Sequence, residues 1–127
     1  MSYDISLTDP VTGKALVVEH HHHIRGGTYA LGGDDRLSLN ITWNYGKIFY
    51  PAFQEFASPE VGEVGGIRVL YGKTGAESIP ILKSVIAKLG DDVDPDYWKP
   101  TEGNAKAALH GLLAFAQMRP DGVWQGD

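Results

Sequence analysis

The chain has 127 residues, no cysteine, and a formal net charge of −5. That length suits one domain with its own core, spanning residues 1–127. The acidic balance argues against nucleic acid or an anionic membrane as partner, and the missing thiols exclude disulfides, thiolate metal sites and a cysteine nucleophile.

Taken in order, Tyr3, Ile5 and Leu7 alternate with polar residues and predict a strand. The opening residues lack the basic-then-apolar pattern of a signal peptide, and no apolar run approaches the ~18 residues of a membrane span. A cytoplasmic protein of a bacterial cell is the expectation. Asp9-Pro-Val-Thr-Gly13 has turn chemistry, so residues 14–18 can return as a second arm. Four histidines, His20 to His23, follow. Arg25-Gly26-Gly27 is a second break, residues 28–31 form a short strand, and Gly32 to Asp35 turn into the next one. There Leu37, Leu39 and Ile41 face one way and Ser38, Asn40 and Thr42 the other. Residues 3–42 therefore read as a small antiparallel meander, and without a βαβ unit a parallel sheet is disfavoured.

From Asn44, a candidate N-cap, the period becomes helical through Tyr45, Ile48, Phe49 and Ala52. Pro51 predicts a kink or restart near 49–53. Residues 57–66 are glycine-rich and aperiodic, which predicts a mobile loop; 66–72 reads as a short helix. Thr74 and Glu77 have capping-box spacing and open a helix whose stripe is Ile79, Leu82, Val85, Ile86 and Leu89, closed by Gly90. An acidic connector, residues 91–96, and the aromatic patch at Tyr97-Trp98 lead to a last helix near 103–118. That helix carries Ala105, Ala108, Leu109, Leu112, Ala116 and Met118. Tyr97, Trp98 and Trp124 are expected to cover the end of the helical pair. The fold class is α+β, with helices over 44–56, 75–89 and 103–118.

The segment Asn40-Ile-Thr-Trp-Asn44 joins a strand directly to a helix and gathers two amides, a hydroxyl and an indole on fixed backbone. Amides offer donors and acceptors to a base or sugar edge, while Trp43, Tyr45 and Tyr50 offer stacking surface. The alternative is that Asn40 and Asn44 only satisfy backbone groups at the junction. Arg25, Gly26 and Gly27 could add a guanidinium and backbone N–H groups for an anion, though no Walker ending follows. His20 and His22 share a strand face and could hold zinc or nickel, with Glu19, Asp34 or Asp35 adding oxygen; a solvated run is the plainer reading. The acidic connector starts like a calcium loop but lacks glycine at the sixth position. His110 is expected to be hydrogen-bonded and partly buried. No serine sits in a nucleophile elbow, and no carboxylate pair suggests acid–base work.

Three segments, Asn40-Ile-Thr-Trp-Asn44, Thr74-Gly-Ala-Glu-Ser-Ile-Pro-Ile-Leu82 and Met118-Arg-Pro-Asp-Gly-Val-Trp124, resemble a family of small uncharacterised proteins of phages, prophages and gut bacteria. That family shares an Asn-Ile-Thr-x-Asn junction between a β part and an α part. The histidine run is longer here, and residues 54–65 look like an added loop. The resemblance implies a phage or bacterial cytoplasmic setting and an α+β domain, but no reaction. The leading expectation is a non-enzymatic protein that binds or sequesters a polar, nucleotide-like ligand in counter-defence, with a homo-oligomer among the expected states. The competing expectations are an acidic inhibitor of a host protein and a histidine-dependent metal protein or hydrolase.

Overall fold

The computed structural model describes residues 2–22, 34–57 and 65–127. The expected strand at 28–31 and most of the expected mobile loop at 57–66 lie outside the described residues. The fold is α+β. Strands β1 (Ser2–Thr8), β4 (Ser38–Thr42) and β5 (Val123–Gly126) form an antiparallel sheet in the order β4-β1-β5. A second, two-stranded sheet pairs β2 (Val17–His22) with β3 (Asp34–Arg36).

Register explains the alternation. Tyr3 lies opposite Ile41 and Ile5 opposite Leu39, so these four share one face and all are buried. The other face carries Asp4 opposite Asn40 and Ser6 opposite Ser38. There the two serine hydroxyls meet at 2.7 Å. The expected turn is present: the Asp9 carboxylate accepts the Val11 and Thr12 N–H groups at 2.8 and 3.0 Å, and Gly13 takes φ +72°. The arm stays beside β1 only as far as Leu16, whose N–H reaches the Leu7 carbonyl; beyond it the chain leaves to pair with β3. The sheet differs from the expected meander in recruiting the C-terminal tail. Trp124 sits opposite Leu7 and is fully buried, in the core and not at the end of the helical pair. On the far side of β5, Trp124 N–H reaches the Lys73 carbonyl and its carbonyl accepts from Gly72, so that edge is covered.

Helices α2 (Gly75–Lys88) and α3 (Glu102–Met118) pack on each other. The capping box of α2 is complete, with Thr74 and Glu77 bonded reciprocally. Its buried stripe, Leu82, Val85 and Leu89, is joined by Ser78. The Ser78 hydroxyl accepts from the Trp124 indole at 2.8 Å and donates to the Gly75 carbonyl at 2.7 Å, which ties sheet to helix. α3 starts at the Thr101 cap and buries Ala105, Ala108, Leu109, Leu112, Phe115 and Ala116. Met118 corrects the expected stripe: it falls in the last turn and is exposed. His110 is exposed as well, on the outer face of α3. Residues 66–70 form a short 3₁₀ helix.

Candidate ligand-binding junction

The strand-to-helix junction is rigid on both sides, but its cap is not the expected Asn44. Thr42 is the N-cap of a 3₁₀ turn, Trp43–Tyr45, and its hydroxyl accepts the Asn44 N–H at 3.3 Å. α1 (Gly46–Ala52) continues from that turn with no side-chain cap of its own. Pro51 sits one residue from its end, so the helix stops and restarts as the 3₁₀ turn Gln54–Phe56. The expected restart therefore occurs by termination: Pro51 has no N–H for the carbonyl one turn back, and the α-helix ends one residue later.

The polar groups of the junction are spent on the protein itself. Asn40 Nδ2 donates to Ser2 Oγ at 2.6 Å and to the Asp4 carboxylate, on the sheet face away from the core. Asn44 Nδ2 donates to the Trp98 carbonyl at 2.8 Å. Thr42 is buried, and its N–H donates to the Tyr97 hydroxyl at 2.8 Å. Tyr45 is fully buried, edge-on to Phe49 and Tyr97. Its hydroxyl donates to the Tyr97 carbonyl. Burial, helped by neighbouring Tyr97 and Asp96, pushes the Tyr45 phenol well above its ordinary pKa. It therefore stays a neutral donor. These contacts fasten residues 42–45 to residues 97–98 across more than fifty positions of chain.

Trp43 is different. Its ring stacks on Tyr3 with centroids 4.8 Å apart and planes 20° from parallel. The Arg68 guanidinium carbon lies 4.8 Å from the Trp43 centroid and 5.3 Å from that of Tyr3. Two van der Waals layers, one on each face of the indole, would hold cation and phenol about 7 Å apart. The shorter distance places Tyr3 and Arg68 on one side of the indole, and the residue keeps 38% of its surface exposed. Arg68 is held by its Nε, which donates to the Asp127 main-chain oxygen at 3.0 Å. Tyr50 of α1 is likewise half-open, at 44% exposed. A Cβ built on Gly46 would stand 3.0 Å from the Tyr3 hydroxyl, so this glycine gives the phenol its place.

On the other side of the junction the acidic connector is a bonded structure, not a solvated linker. Asn104, buried in the first turn of α3, accepts the Asp94 N–H at 2.9 Å and donates to the Asp96 and Lys99 carbonyls at 3.0 and 3.1 Å. Asp92 accepts the Gly103 N–H at 3.1 Å. Asp91 pairs with Lys106 at 2.7 Å. A Cβ on Gly103 would meet the Val93 nitrogen at 2.6 Å, so only glycine lets the connector lie this close to the helix. Between them is a hollow of about 200 Å³ lined by Tyr45, Asp94, Pro95, Tyr97, Asn104, Ala107 and Ala108.

Of the other expected site residues, Arg25, Gly26 and Gly27 lie outside the described residues. His20 and His22 belong to β2. Among the described residues no three or more histidines or carboxylates gather as a metal group, and no helix is long and apolar enough to cross a membrane. Two site residues escape sequence reasoning, Arg68 and Tyr3. Tyr3 reads correctly as an inward strand residue, but nothing in the linear order brings residue 68 to residue 43. Comparison with family models, curated proteins and solved structures finds no match. That result leaves the phage and gut-bacterial resemblance where the sequence put it.

Proposed function

We propose that this is a non-catalytic binding protein that sequesters a small, polar, ring-bearing ligand of nucleotide type against Trp43. The observation that carries the reading is the half-open indole. It is fixed at the strand-to-helix junction and backed on one side by Tyr3 and Arg68. Stacking on such a platform is worth about 1–3 kcal/mol per base, and Arg68 braces the indole from the covered side. In a phage-infected bacterial cytoplasm, holding a nucleotide signal would serve counter-defence, and this setting rests on the family resemblance alone. A thermal-shift screen against mono-, di- and cyclic nucleotides and ADP-ribose types tests the reading. One class should raise the melting temperature in proportion to the logarithm of ligand concentration. The shift should disappear in Trp43→Ala and shrink in Arg68→Gln, while Trp98→Ala keeps it. No shift with any nucleotide ends the proposal.

A further inference from the structure

The hollow beside the acidic connector is a second feature, separate from the indole platform, and its size decides what it can take. About 200 Å³ is below the ~300 Å³ where sites for drug-sized ligands begin. It fits one side chain and not a nucleotide. Its walls are the Tyr45 and Tyr97 rings, Pro95 and two alanine methyls; its polar residues are Asp94 and Asn104. The Asn104 amide is already committed to three backbone groups. Asp94 is the charged group of the lining. Its carboxyl is held below the usual carboxylate range by the Asp96 N–H first and then by Lys99.

The chain's own Lys99 shows what that carboxylate attracts. Lys99 Nζ lies 3.3 Å from Asp94 Oδ2 with most of its side chain in solvent, and an exposed pair of this kind is weak. A cation arriving with its own apolar stem over the half-buried Tyr97 ring would replace it at little cost. Around the hollow, Asp91, Asp92, Asp96 and Glu102 stand against Lys99 and Lys106, and Val93 and Trp98 are 67% and 52% exposed. Anionic surround, apolar anchors and a one-side-chain socket complement a short basic segment that mixes Arg or Lys with apolar residues.

We propose that this face docks such a segment of a protein partner, with one Arg or Lys side chain entering the hollow against Asp94. The probe is a fluorescein-labelled Arg-Leu-Arg-Leu-Arg peptide, read by anisotropy at low salt, beside the same peptide with citrulline for arginine. Binding of the arginine form only is expected. Ala107→Leu fills the hollow from an exposed helical position without altering charge, and should weaken binding at least tenfold. Asp94→Asn should do the same. Asp121→Asn, at the far end of α3, should change it less than twofold. Melting curves establish that each variant is folded. Failure to bind the arginine peptide overturns the proposal. So does equal binding by Ala107→Leu, or equal loss in Asp94→Asn and Asp121→Asn, which would mean attraction to net charge alone.

Discussion

Asn104→Ala removes three hydrogen bonds that hold the acidic connector against α3. Each such bond contributes about 1 kcal/mol net, and the backbone groups released are close enough to the surface for water to replace the lost partner. No stranded-group penalty is added, and three bonds at about 1 kcal/mol each come to about 3 kcal/mol. Alanine recovers roughly 0.5 kcal/mol in helix propensity, leaving a loss of about 2.5 kcal/mol. For a chain of 127 residues, an unfolding entropy of about 2.1 cal/mol/K per residue makes each kcal/mol about 4 °C. The expected fall in melting temperature is about 9–10 °C, followed by circular dichroism. Asn104→Asp is the sharper control. Its carboxylate keeps the Asp94 N–H but faces the two carbonyls that the amide had served, which raises its folded pKa. The stability it brings is then present below the unfolded value of ~3.9 and is lost as pH rises through the higher folded one. The aspartate variant should gain on wild type as the solution is acidified. A melting temperature for Asn104→Ala within 2 °C of wild type would refute the idea that this amide holds the connector.

Ser78→Ala strands the buried Trp124 indole N–H and should cost about 1–3 kcal/mol; added to Trp124→Phe it should cost much less, a coupling that a double-mutant cycle of denaturant melts will measure. The carboxyls of Asp9, Glu77, Asp91, Asp94 and Asp121 are all held low by N–H or cationic partners. The stability they bring is present above their unfolded pKa values and lost as pH falls through the lower folded ones, so melting temperature should drop below about pH 4. Raising salt should weaken the dependence due to Asp91 and Asp121, whose partners are Lys106 and Arg119, but leave that of Asp9 and Glu77, whose main partners are backbone N–H groups.

Much of the fold was legible because local rules and tertiary packing agree. The alternation of Tyr3, Ile5 and Leu7 and of Leu37, Leu39 and Ile41 needs only a two-residue period, and register then buries both sets on one face. Thr74 and Glu77 specify a helix start by themselves. The tail was not legible as a strand because Val123–Gly126 is only four residues long. Its conformation is set by Leu7 on one side and Lys73 on the other, positions that sequence spacing cannot bring together. Thr42 and Asn44 are both good cap residues two positions apart, and the choice fell to Thr42 because Asn44 is drawn to the Trp98 carbonyl.

The same ambiguity governs the site. An asparagine amide carries the donors and acceptors that recognise a base edge, and equally those that satisfy a distant backbone. Only the fold says which, and here Asn40, Asn44 and Asn104 each serve the protein's own groups. The indole obeys a more readable rule. Once Tyr45 and Phe49 are placed inward, a residue two positions before Tyr45 lies roughly 240° away at about 120° per residue of the 3₁₀ turn. Trp43 must then leave the core side that Tyr45 occupies, and an aromatic that cannot go inward must find cover elsewhere or remain open. Tyr3 and Arg68 supply that cover on one side only. The case for binding therefore shifts from the amides to the ring, and rests on a surface whose exposure follows from helical period even though its partners do not.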